Sequence, residues 1–269
     1  MKFLSLAVSF LLLIIGCKSN INSPAESVKY PSGLNNQWEY NTVFRTIQYD
    51  SHGNLADSSN QIIGNTIVKI IGVNQSLGSI SNLILFECYE TDTPTLIEKD
   101  WYLNADSGFY CIAYSSAGAA EPVNPKNGLR LNYLSGLWPK HATLMPAFDY
   151  ADNKGLDDSV LYYYSPRVIV TYPLDIGNRW VELLAPFNRE RYVTNMEDVQ
   201  VNNETYKCYA VEADMASSHF KMIDDINLAY GLIRRTIISD SLPSTDSGGG
   251  TNGMFEKVIS VSTLVRKNF

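Results

Sequence analysis

The chain has 269 residues, with 21 Lys and Arg against 28 Asp and Glu, and a formal net charge of −7. An acidic balance without basic clusters argues against nucleic-acid binding, because phosphate affinity comes mainly from Lys and Arg. The length is ample for a full core, as one large β domain or two smaller ones.

Met1-Lys2 precedes a run from Phe3 to Ile15 that is apolar except for Ser5 and Ser9. A membrane-spanning helix needs about 20 such residues, so this shorter run is read as the apolar region of a signal peptide. It ends Ile14-Ile15-Gly16-Cys17-Lys18, the order of a bacterial lipobox. The expected chemistry is a diacylglycerol thioether on Cys17 Sγ, cleavage after Gly16, and acylation of the new amino group. Each buried CH₂ contributes about 0.8 kcal/mol, so two or three chains anchor stably where one would not. Residues 1–17 are therefore the lipoprotein signal peptide, residues 18–29 a flexible tether, and the membrane, through Cys17, the first expected partner. Lys18 is not the Asp that favours inner-membrane retention in enteric bacteria. The tether has no acidic cluster of the kind that directs some lipoproteins to the cell surface. The expected place is the outer membrane, lipid-anchored, facing the periplasm in preference to the surface.

Pro31 and Gly33 turn the chain into a first strand, where Trp38, Tyr40, Thr42, Phe44 and Thr46 fall on alternate positions. Period two marks a strand with one buried face. Ser51-His52-Gly53-Asn54 has turn composition, and Ile62–Val73 follows as another strand. The continuous apolar start of Leu83–Glu90 predicts a central strand covered on both faces. Trp101–Leu103 and Gly108–Tyr114 complete a meander, and Ser115–Gly128 is the expected boundary between a first β unit (30–128) and a second (129–269).

Within the second unit, prolines break up 129–159. Val160–Tyr164 and Val168–Thr171 are strand-like, interrupted at Pro166. Asn202-Asn203 is a tight hairpin turn between two strands, because Asn tolerates positive φ. Asp214–Asn227 lacks period two and is read as holding a short helical turn. Leu228–Ile238 is a strand, Ser239–Gly253 a flexible loop, and Met254–Arg266 the last strand. The fold class expected is all-β, with antiparallel curved sheets of half-barrel or sandwich type and little helix.

Tyr172-Pro-Leu-Asp-Ile-Gly-Asn-Arg-Trp180 echoes Tyr30-Pro-Ser-Gly-Leu-Asn-Asn-Gln-Trp38, with the same Tyr-to-Trp spacing. Further matches follow in the same order: Val73-Asn74 with Val201-Asn202, Cys88-Tyr89 with Cys208-Tyr209, and Gly108-Phe109-Tyr110 with Gly231-Leu232-Ile233. The expectation is an internal repeat of two similar halves. Asp175 and Arg179 have no counterparts in the first copy, and a role beyond folding is sought there.

The second copy, Pro173–Trp180, then Val199–Val211 around Cys208-Tyr209, then Tyr230-Gly-Leu-Ile-Arg234, resembles a pattern in uncharacterised β-rich lipoproteins of Gram-negative bacteria. At fold level these resemble the half-barrel sheets of periplasmic lipoprotein carriers. The likeness covers about residues 172–238, and the first copy departs from it. No catalytic residues transfer with it, and fold analogy does not carry function.

Candidate chemistry is sparse. His52, His141 and His219 have no neighbours at metal-ligand spacing, and there is no Gly-x-Ser-x-Gly or His-Glu-x-x-His. Asp149–Asp158 offers Asp152 and Asp158 as weak calcium candidates, but Lys154 stands where an acidic ligand is needed. No cofactor is expected. Cys88, Cys111 and Cys208 are read as three buried thiols, with a Cys88–Cys111 disulfide as the alternative. The 17 Tyr and 4 Trp either line a concave surface or serve as ordinary strand residues. The leading functional expectation is a non-enzymatic envelope lipoprotein that binds an apolar or lipid ligand on a curved sheet. The alternatives are an envelope protein-interaction or scaffold module, and a hydrolase whose site assembles in space.

Overall fold

A computed structural model describes residues 28–91, 96–116, 161–184, 189–214, 220–245 and 251–269. Cys17, residues 18–27, Asp152, Asp158, His141, His219 and the whole of 129–159 lie outside the described residues.

Twelve strands make one antiparallel sheet: β1 (Gln37–Tyr49), β2 (Leu55–Leu77), β3 (Ile80–Glu90), β4 (Leu96–Ala105), β5 (Gly108–Ser116), β6 (Leu161–Thr171), β7 (Arg179–Leu183), β8 (Arg189–Val201), β9 (Glu204–Asp214), β10 (Phe220–Asn227), β11 (Gly231–Thr245) and β12 (Thr251–Asn268). Their order is β6-β5-β4-β3-β2-β1-β12-β11-β10-β9-β8-β7, an up-and-down meander whose two ends are β6 and β7. The fold is all-β, and the sheet curves until it is nearly closed into a barrel-like shape. The two units are not separate sheets, because β1 pairs with β12 along its whole length.

The period-two reading of β1 holds: Trp38, Tyr40 and Thr42 are buried and their neighbours are not. Leu83, Ile84, Phe86, Glu87 and Cys88 are all buried on β3, as expected for a strand covered on both faces. Asn202-Asn203 forms the β8–β9 turn, with Asn202 at φ 54°. The expected helical turn in Asp214–Asn227 is instead β10. Met222, Asp224, Asp225 and Ile226 are all buried there, so both faces are covered and the alternation that betrays a strand is erased. The expected loop at Ser239–Gly253 is also strand at both ends, since β11 runs on to Thr245 and β12 starts at Thr251. Pro166 does not end β6. Four residues there stand opposite one between Cys111 and Ala113, and this bulge accommodates the missing N–H.

One end of the barrel is packed with rings. Tyr30 stacks on Phe109 at 4.8 Å, Phe109 on Tyr102 at 4.7 Å, and Trp38 on Phe86 at 5.9 Å. Tyr30 ties the incoming chain into this core. Its N–H donates to Tyr172 Oη (2.8 Å), its carbonyl accepts from Asn104 Nδ2 (2.9 Å), and its hydroxyl accepts from Leu232 N (3.1 Å). The β2–β3 and β8–β9 hairpins pack across strands of the same sheet. Leu77, Ile80 and Leu83 pack with Trp101 and Ile112, while Glu197, Asn202 and Glu204 reach Arg234, Val265 and Lys267.

Gly231 (φ +85°) is locked into the ring core, because a Cβ there would meet Tyr30 Oη at 2.8 Å and Trp38 Nε1 at 3.1 Å. Gly53 (φ +81°) has nothing within 4 Å. Gly53→Ala is expected to cost about 1 kcal/mol, the left-handed penalty alone. Gly231→Ala is expected to cost at least about 2 kcal/mol more, since it also displaces the Tyr30 hydroxyl from Leu232. Denaturant midpoints of the two variants decide this, and equal losses would remove the packing part.

Candidate functional site

Above the ring layer the inner face turns polar. Thr42, Thr66, Ser260 and Ser262 are buried, and Thr42 Oγ1 lies 2.8 Å from Ser262 Oγ. On the other wall the alternation brings charge inward. Arg167 on β6, Glu182 on β7, Arg189 and Arg191 on β8, Asp224 on β10 and Arg235 on β11 are all buried.

These six form one connected belt. Arg235 grips Asp224 with two bonds, Nε to Oδ1 at 2.7 Å and Nη2 to Oδ2 at 2.9 Å. Arg191 Nη1 donates to the same Oδ2 at 2.8 Å, and its Nε lies 2.8 Å from Glu182 Oε2. Arg189 Nε reaches Glu182 Oε2 at 2.7 Å. Arg167 donates to Glu182 Oε1 through Nε (2.8 Å) and Nη2 (2.6 Å). Arg fits because its planar fork meets both carboxylate oxygens and its weak hydration makes burial less costly than for Lys.

The belt also spans the seam where the barrel is not closed by a backbone ladder. Arg167 stands on β6 and Glu182 on β7, the two ends of the sheet order. Trp180 on β7 adds a second link, with Nε1 donating to Val168 O on β6 at 3.0 Å.

Burial pushes the Glu182 carboxyl up, but Arg167, Arg191 and Arg189 outweigh it and hold the group well below the usual carboxylate range. Asp224 behaves alike: burial raises it, and Arg235 and Arg191 bring it below its ordinary value. On the opposite face of β10, burial dominates and pushes Asp225 up to about 6, against Arg234 at 2.6 Å. A carboxylate held ionised between guanidinium groups that never deprotonate is a poor general acid or base at neutral pH.

Beyond the belt lies a small apolar cluster of Ala213, Met222, Ile237 and Val258, with half-buried Phe44 packed against it. The inner surface is thus layered: rings, then charge, then aliphatic side chains.

The positions singled out in the sequence lie elsewhere. Asp175 and Arg179 are exposed, and Arg179 pairs with Glu190 at 3.0 Å and covers the Tyr192 ring at 4.7 Å. His52 is exposed in the β1–β2 turn, where the Asp50 carboxylate accepts from His52 N and Asn54 N at 2.8 Å each. Cys88, Cys111 and Cys208 are buried thiols, and no Cys88–Cys111 disulfide forms. Cys88 faces Glu98 and Cys111 faces Tyr102 on the intervening β4, so they are two strands apart and offset along them. That is about 10 Å sideways before the offset is added, beyond the roughly 7 Å Cα reach of a disulfide. Burial pushes the Cys208 thiol up to about 12.

A shallow groove of about 340 Å³ lies where the β8–β9 turn meets β12, lined by Asn202, Glu204, Tyr206, Leu264 and Lys267 among others. Among the described residues no group of three His, Cys, Asp or Glu is placed to hold a metal, and no helix is long and apolar enough to cross a membrane. No family model matches the chain, and no curated protein is similar to it.

Proposed function

We propose that this is an outer-membrane lipoprotein, acylated at Cys17 and facing the periplasm, whose curved sheet binds an apolar or lipid ligand without chemical conversion. The observation that carries the reading is the layered inner wall. Aliphatic side chains (Ala213, Met222, Ile237, Val258) sit beside the fixed charges of the belt: β11 supplies Ile237 and the Arg235 guanidinium, and β10 supplies Met222 and the Asp224 carboxylate. An amphipathic molecule is recognised by that pairing of an apolar surface with a few fixed polar groups. On the outward face of β1 the polar Gln37, Glu39, Asn41 and Arg45 interrupt Val43, Ile47 and Tyr49, where a lipid-spanning barrel needs a continuous apolar band. The resemblance to lipoprotein-carrier half-barrels supports the same reading. We also propose that the halves arose by duplication, because six strands on each side of the β1–β12 junction run in the same order and matched residues open corresponding strands.

The test is native mass spectrometry of the full acylated protein extracted from membranes. The expected result is a population heavier than the acylated chain by a lipid-sized mass that solvent extraction releases. A single mass equal to the acylated chain overturns ligand binding.

A further inference from the structure

We infer that the barrel end from which the tether leaves is a membrane-docking face, seated on the lipid surface that anchors the chain. The inference rests on acylation at Cys17 as proposed above.

Chain direction fixes which loops share that end. The up-and-down order places the start of β1, the β2–β3 and β4–β5 turns, the Tyr172–Asn178 loop, the β8–β9 and β10–β11 turns and the end of β12 together. Contacts among them agree: Lys29 Nζ to Asp106 Oδ1 at 2.6 Å, Tyr30 N to Tyr172 Oη at 2.8 Å, and Phe269 stacked on Tyr230 at 6.2 Å.

Ten large apolar side chains are exposed among the described residues, and five belong to this end: Val28 (58%), Leu34 (51%), Ile176 (61%), Tyr230 (38%) and Phe269 (52%). Leu34 and Ile176 hold the same place in the two Tyr-to-Trp turns, four residues after the Tyr. Concentrated exposed apolar side chains mark a contact surface, and Tyr and Phe suit the boundary between headgroups and acyl chains.

What covers them follows from chain length. Ten residues separate Cys17 from Val28, so the anchor lies within about 40 Å of this end even if the chain is fully extended. Among the described residues, this end is the one the tether joins to the bilayer. Charge at this end is mixed in a chain that carries −7 overall, with Asp175 exposed beside Ile176. At this end Lys29 pairs with Asp106, and Lys267 pairs with Glu204 at 2.6 Å.

The experiment uses the full acylated chain in vesicles of phosphatidylethanolamine and phosphatidylglycerol. A fluorophore is placed at one introduced thiol per variant: Leu34→Cys or Ile176→Cys at this end, Leu55→Cys or Phe255→Cys at the other. The native thiols are buried and Cys17 is acylated. Lipids brominated on their acyl chains are expected to quench labels at 34 and 176 at least twofold and to leave those at 55 and 255 unchanged. Flotation with the vesicles but no quenching at 34 and 176 overturns the docked face alone. Equal quenching at all four sites also overturns it. Failure to float, with no fatty-acid labelling, overturns the anchor and this inference with it. Shielding of 34 and 176 that grows with protein concentration and ignores the brominated lipid assigns the face to a second copy, and overturns the bilayer as occupant.

Discussion

Glu182→Gln is expected to lower the stability of the fold by about 3–5 kcal/mol, the cost of leaving buried guanidinium groups without their carboxylate. Glu182 is fully buried and touches three guanidinium groups: Arg167, Arg189 and Arg191. Glutamine keeps the shape, but it removes the charge and turns one acceptor into a donor facing cations. The surface pair Arg179–Glu190, with side chains 55% and 36% exposed, is the control. Glu190→Gln should cost less than about 1 kcal/mol. Guanidinium unfolding of the two variants measures the difference, and a loss below about 1 kcal/mol for Glu182→Gln would show that the belt is not holding the seam.

The pH dependence has a definite sign. Glu182 and Asp224 have folded pKa values below their unfolded ones. Their contribution is present above an unfolded pKa of about 4 and is lost as pH falls through the lower folded values. Asp225 works in the opposite sense. Its folded value of about 6 lies above the unfolded one, so its contribution is full below about pH 4 and is lost as pH rises through 6. Acid unfolding should therefore set in below pH 4, and should flatten in Glu182→Gln.

The β character and the Asn202-Asn203 hairpin were legible because each has a local signal: period two, or a residue that tolerates positive φ. The belt had no such signal. Arg189-x-Arg191 and Arg167 were not singled out in the sequence, and it is the curvature of the sheet that brings these inward positions together with Glu182 and Asp224. Asp175 and Arg179 attracted notice through their unusual neighbours, yet both are on the surface. The one available clue was parity. Arg189 and Arg191 alternate in phase with Val193, and all three are buried. A charged residue in phase with a strand's apolar face, on several strands at once, is the pattern that marks an internal ion network. Sequence spacing alone could not pair these residues, since Arg167 and Glu182 are separated by a loop, and Arg235 and Asp224 by a turn.

The two Tyr-to-Trp turns support a last prediction, because they share geometry but not surroundings. Asn36 N donates to Gly33 O and Ile70 N to Asn36 O; in the second turn Asn178 N donates to Asp175 O and Val193 N to Asn178 O. Each Trp then donates its indole N–H to a carbonyl on a neighbouring strand or turn: Trp38 to Tyr230 O at 2.7 Å, and Trp180 to Val168 O at 3.0 Å. Trp38 sits on a strand laddered on both sides, by β2 and β12, and packs on Phe86 and Phe269. Trp180 sits on β7, which has a ladder only to β8, and faces the seam. Trp38→Ala is therefore expected to cost about 3–5 kcal/mol as a global loss, a cavity in the ring core that flanking ladders prevent from collapsing. Trp180→Ala should cost less globally, about 2–3 kcal/mol, because β7 and β6 can part locally. Amide exchange separates the two outcomes. In Trp180→Ala, exchange should quicken in β7 and the 168–171 end of β6 while β1 and β12 stay protected; in Trp38→Ala, protection should fall across the sheet together. Uniform loss of protection in both variants would mean the seam is as firmly closed as the β1–β12 junction, and that the Arg167–Glu182 pair alone substitutes for a backbone ladder.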